Sequence, residues 1–169
     1  LGRVRVCELF AARARLQAQL HAGLRDLNKR RAWRPAIAAG FAITRGDEIE
    51  GLLTGATLVW DIAHWLRHTL PDVDWIIACA RGPISTALAE TALEVDGPCF
   101  HAARAALDEA KGRRQVFTFR GFPPALDALA AYYSALYWSW TPRQRRQASE
   151  LRLRDAAALD MRNRLTVHP

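Results

Sequence analysis

Ala36-Ile37-Ala38-Ala39-Gly40-Phe41-Ala42-Ile43-Thr44, then Arg45-Gly46-Asp47-Glu48, then Ile49-Glu50-Gly51-Leu52-Leu53, is the stretch on which the fold turns. The first segment is short and apolar, with Phe41 and Ile43 on one face, and reads as a largely buried strand. Arg45-Gly46-Asp47-Glu48 is a turn signal, and Ile49 to Leu53 returns as a second strand, so the whole reads as a hairpin. Upstream, Leu9, Leu16, Leu20, Leu24 and Leu27 recur at helical spacings, which predicts an amphipathic helix from Glu8 to Lys29. Arg34-Pro35 ends it, because the residue before a proline is pushed out of helical geometry.

Downstream, Thr57 is a natural N-cap for a helix to about Thr69, with Leu58, Ile62, Trp65 and Leu66 on its buried side. Val73 to Ala80 reads as a strand. Gly97-Pro98 opens a helix over Cys99 to Lys111, and the alternating Gln115 to Phe119 is a further strand. The order is helix, strand, strand, helix, strand, helix, strand. That predicts an α/β (α+β) fold with helices on one face of a sheet. Gly121-Phe122-Pro123-Pro124 is the proline-rich joint, dividing a 1–120 α/β domain from a 121–169 helical segment. In the latter, Ala125 to Trp140 is aromatic-rich. Thr141-Pro142 starts a helix to about Leu153, and a last one covers Arg154 to Leu165.

The chain has 169 residues and a net charge of +7, from 24 Lys and Arg against 17 Asp and Glu. Half its residues are hydrophobic, which excludes a disordered or fibrous protein. No apolar run approaches the roughly 20 residues of a membrane span, and no secretory h-region opens the chain, so a cytoplasmic setting is expected. Cys7, Cys79 and Cys99 are too scattered for a zinc site or a disulfide framework. Basic residues crowd the two ends around an acidic middle, which fits polyanion contacts outside a central domain.

Two places are candidates for chemistry. At Gly46-Asp47-Glu48, two adjacent carboxylates at a hairpin tip suit Mg²⁺ beside a phosphate, but equally make an ordinary polar turn. At Gly97, a helix N-terminus favours anions, and Arg104, two turns along, can reach a phosphate. The alternative there is a structural joint, with Arg104 paired to Asp108 or Asp96.

Phe41-x-Ile43-Thr44-x-Gly46-Asp47-Glu48-x-x-Gly51-Leu52-Leu53, Ile84-Ser85-Thr86 and Asp96-Gly97-Pro98-x-Phe100-x-x-Ala103-Arg104-x-Ala106-Leu107-x-x-Ala110-Lys111 together resemble the SatD family, over roughly residues 1–169. That pattern is in turn similar to class III nucleotide cyclases and to GGDEF and polymerase palm domains. The resemblance implies a ferredoxin-like palm whose first strand, ending in an Asp, precedes Leu1. It implies Asp47 as the hairpin-tip metal ligand and Arg104 as the phosphate-facing arginine. Phe100 stands where cyclases place an Asn, and the first metal Asp is not in the chain. Both departures point away from cyclase activity by this chain and leave nucleotide binding.

Trp140-Thr141-Pro142-Arg143-Gln144-Arg145-Arg146 and Asp155 to Pro169 resemble the front of a helix-turn-helix of the sigma-region-4 and LuxR type, with Leu165-Thr166-Val167 as its turn. Base-reading residues would lie beyond Pro169, so Arg143, Arg145, Arg146, Arg162 and Arg164 are candidates for DNA phosphates only. The reading is a cytoplasmic regulator, a nucleotide- or partner-sensing domain coupled to a DNA-binding segment and acting as a homodimer. The alternative is a Mg²⁺-dependent nucleotidyl-transfer enzyme built on Asp47 and the upstream Asp.

Overall fold

Asn28 supplies strand β1 (Ile37–Arg45) with the pairing that a further strand would give. Its side-chain amide donates to the Phe41 carbonyl at 2.8 Å and accepts from the Phe41 N–H at 2.7 Å. The computed structural model describes residues 6–45, 48–71 and 73–166, with side chains over 14–44, 48–71 and 73–155. The chain divides into two compact units, Leu1–Gly55 with Leu88–Val95, and Ala56–Ala87 with Asp96–Pro169.

In the first unit, helix α1 (Val6–Lys29) carries Asn28 near its C-terminal end. Leu20, Leu24 and Leu27 turn inward with Trp33, Ile37 and Ala39, as the leucine spacing requires. A 3₁₀ turn, Arg34–Ala36, leads into β1. Strand β2 (Glu48–Leu53) pairs antiparallel with β1, in a register that irregularities shift at three points. Gly51 permits this: a Cβ there would stand 2.4 Å from the Phe41 ring. The Gly40 N–H turns to the Glu90 carbonyl at 2.8 Å, which ties the 88–95 segment to the hairpin.

In the second unit, α2 (Val59–Thr69) is followed by β3 (Ile77–Ala80), α3 (Pro98–Arg113), β4 (Phe117–Arg120), α4 (Pro124–Ser139) and α5 (Pro142–Thr166). β3 and β4 are parallel, so they need a crossover, which α3 provides. The mixed α+β class expected from the sequence is the class observed. Among the described residues the four strands form two two-stranded sheets, where the palm topology expected one. Three local differences have plain causes. α2 begins at Val59 with no side-chain cap, and Thr57 is exposed outside it. β3 starts only at Ile77, because the Trp75 carbonyl is taken by a side chain described below. α5 runs unbroken where two helices were expected, since residues 143–166 contain neither Gly nor Pro to stop it.

Replacing Asn28 by Ala strips the partners from both backbone groups of Phe41. A loss of about 2 kcal/mol in urea unfolding is expected. A change under about 0.5 kcal/mol would show that the Asn28 bridge is incidental.

Candidate functional site

Helix α5 starts at a capping box written in Thr141-Pro142-Arg143-Gln144. The Gln144 N–H donates to the Thr141 hydroxyl oxygen at 3.3 Å, and the Thr141 N–H donates back to the Gln144 side-chain oxygen at 2.8 Å. Pro142 occupies the first helical position, where a missing N–H costs nothing. The start fixes how the helix presents its arginines. At 3.6 residues per turn, Arg143, Arg146 and Arg154 lie within about 80° of one another. Arg145, Ser149 and Arg152 occupy roughly the opposite side.

The structure divides them accordingly. Arg145 pairs with Asp74 at 3.2 Å, donates from Nε to the Tyr137 carbonyl at 3.0 Å, and lies over the Tyr137 ring at 4.4 Å. Arg152 pairs with Asp61 of α2 at 2.8 Å. Buried Ser149 meets His64 Nδ1 at 3.4 Å. Arg143, Arg146 and Arg154 are exposed, with no ion pair among the described residues; Glu150 is the acid on their side of the helix. Arg145, expected to face DNA phosphate, is thus engaged within the protein. The side chains of Arg162 and Arg164 lie outside the described residues; of the expected turn, Leu165 and Thr166 are still helical and Val167 lies outside the described residues.

Beneath α5 sits a group that sequence reasoning missed. Arg67 is 5% exposed and donates from Nη2 to the carbonyls of Trp75, at 3.0 Å, and Val116, at 3.4 Å. Its guanidinium lies over Phe117 at 4.7 Å and Tyr137 at 5.1 Å. Burial holds its pKa below the usual arginine value, opposed by the nearby Tyr133, Tyr137 and Asp74. A signal was present: Trp60, Ala63, His64 and Arg67 share one helical stripe. Tyr133, Tyr137 and Trp140 build the neighbouring aromatic core, with Tyr133 5.5 Å from Trp60 and 6.0 Å from Trp140.

Of the nucleotide and metal candidates, Glu48, Gly97 and Arg104 are described. Gly46 and Asp47 lie outside the described residues. Glu48 opens β2 in the first unit, whereas Gly97 and Arg104 belong to the second. Gly97 caps α3 where a Cβ would stand 2.6 Å from Ile84 Cα and 2.7 Å from the Ser85 nitrogen, so close backbone approach demands glycine. Its N–H donates to Asp96 Oδ1 at 2.8 Å, and the Cys99 N–H donates to the Pro83 carbonyl at 3.2 Å. Phe100 is buried in the core, and Arg104 is exposed on α3. Burial pushes the Cys79 thiol up to about 11, which leaves it a poor nucleophile.

Among the described residues no cluster of three His, Cys, Asp or Glu side chains is placed to hold a metal ion. Nor is any described helix long and apolar enough to cross a membrane. The family model described as the SatD family matches residues 5–116, about two-thirds of the chain. The chain belongs to the SatD family. That match ends before β4, so α4 and α5 lie beyond it, short of the whole-chain resemblance expected. No curated protein and no solved structure matches the chain.

The seat of α5 on α2 carries a pH dependence. Burial, reinforced by Arg67 and Arg152, holds the His64 pKa at about 3, against 6.5 for a free histidine. Between these values the unfolded chain binds a proton that the folded protein refuses. Stability therefore falls as the pH drops from 6.5 towards 3, by about 1.4 kcal/mol per unit at most. In urea titrations across that window the parent should lose stability faster than His64→Gln, which keeps a polar contact to Ser149 without titrating. Parallel pH profiles would contradict this.

Proposed function

We propose that this SatD-family chain is a DNA-binding regulator in which α5 forms the front of the DNA-contacting segment. The observation that carries the reading is the division of the α5 arginines. Two are spent on seating the helix, and three more stand exposed together on the opposite face, set by a Thr141-Gln144 cap. A helix so seated offers its cations at fixed spacing, which suits a phosphate backbone better than freely moving side chains do. Glu150 on that face moderates the charge, as expected of a positioning contact rather than a general polyanion trap.

In this reading the α/β part is the sensing element for a nucleotide or a protein partner, with Gly46, Asp47, Glu48, Gly97 and Arg104 as its nucleotide candidates. Through β4, α2 and α4 it adjoins the seat of α5 within the second unit. A change that moved α2 would move the basic face with it. Association as a dimer would repeat that face once per half-site.

Fluorescence anisotropy of a labelled duplex, titrated with the chain at several salt concentrations, tests the proposal. Arg143→Gln, Arg146→Gln and Arg154→Gln combined should flatten the log–log salt dependence by about 0.9 for each phosphate left without its arginine. Arg145→Gln should instead lower the unfolding midpoint. Absence of duplex binding at about 50 mM salt, or an unchanged slope in the triple variant, would overturn it.

A further inference from the structure

We infer that the C-terminal end of α1 is a second nucleic-acid contact, a binding surface for phosphodiester backbone independent of α5. Residues 25–34 hold five bases, Arg25, Lys29, Arg30, Arg31 and Arg34, against the single acid Asp26. The backbone beneath them is fixed. The Trp33 and Arg34 N–H groups both donate to the Arg30 carbonyl at 2.9 Å, and the Ala36 N–H donates to the Trp33 carbonyl at 2.9 Å. Buried Trp33 anchors this turn, and Arg30 lies over its ring at 4.6 Å. Arg34 is tied back by a 3.3 Å bond from Nη1 to the Ile37 carbonyl.

Arg25, Lys29 and Arg31 are different. All three are exposed and make no hydrogen bond or ion pair among the described residues. Arg25 and Lys29 are four residues apart, on the side of the helix opposite Leu20, Leu24 and Leu27. Favourable charge at a helix C-terminus accounts for Lys29 alone, since that effect fades within the last turn. Arg25 sits a turn earlier, and Arg31 lies beyond the helix.

The choice of polyanion follows from the apolar residues. A membrane-surface helix sets exposed apolar side chains beside its cations so that they can enter the headgroup region. Here Leu20, Leu24, Leu27 and Trp33 all face the protein interior. A cationic surface whose large apolar side chains over residues 20–34 turn inward fits phosphates presented in water, as along a nucleic-acid strand.

The test uses the whole chain with Arg25→Gln, Lys29→Gln and Arg31→Gln combined. Anisotropy is read with duplex DNA and, separately, with single-stranded RNA of equal length, over a range of salt. The expected result is a log–log slope shallower by about 0.9 per phosphate no longer neutralised on duplex, or about 0.7 on the single strand, with an unchanged unfolding midpoint. The charge-preserving Arg25→Lys, Lys29→Arg, Arg31→Lys variant should restore the slope. Whichever nucleic acid shows the larger change is the form contacted. The same slope change in a chain already lacking the α5 arginines supports a separate site, even where α5 itself touches no DNA. Unchanged slopes with both nucleic acids, or binding only to anionic lipid vesicles, would overturn the inference.

Discussion

A cation sealed inside the second unit is the constraint on which its other contacts depend. Arg67 enters a region where an uncompensated charge is costly, and its hydrogen bonds run to backbone carbonyls rather than to a carboxylate. Its compensation is distributed over two backbone carbonyls and two aromatic rings. The Trp75 and Val116 carbonyls lie just before β3 and β4, so one guanidinium fixes where both strands begin. The Tyr137 ring brings in α4, and its hydroxyl donates to Asp74 at 3.0 Å. Asp74 then accepts from Arg145 of α5. A buried charge thus reaches a surface helix through two intermediaries.

The consequence, over the described side chains of α5, is a seat built on polar contacts. α5 has Leu151 facing solvent at 61% exposure, while its inner side offers Arg145, Ser149 and Arg152. Such a seat depends on charge state and geometry, unlike a leucine stripe. Neutral His64 is part of it, wedged near Arg67 and Arg152 with its ring edge towards Tyr133 at 5.7 Å. The strength of a polar seat can be changed by a small event, which suits the regulatory role proposed above.

Much of the architecture was legible because it follows from local rules. The β1–β2 hairpin came from a short apolar run and a Gly-Asp turn, and α3 from Gly97-Pro98. β4 came from the alternating stretch Gln115 to Phe119, and the start of α5 from Thr141-Pro142-Arg143-Gln144. What escaped was decided by tertiary contacts. Arginine is ordinarily an exposed residue, so Arg67 gave no compositional hint of burial. The single length of α5 follows from a run of helix formers over 143–166 that holds no Gly or Pro and so no break near Leu153. Of the α5 candidates, Arg143 and Arg146 are exposed. Arg145, two residues from Arg143, faces the other way, as simple helical geometry requires.

Urea unfolding of Arg67→Lys probes this dependence most directly. A lysine keeps the charge, yet its compact ammonium lacks the planar guanidinium that lies over the Phe117 and Tyr137 rings while one of its nitrogens bonds both carbonyls. A loss of about 3 kcal/mol is expected, with the Asp74–Arg145 contact loosened in the same variant. A variant as stable as the parent, with α5 still seated, would contradict a unit organised around this guanidinium.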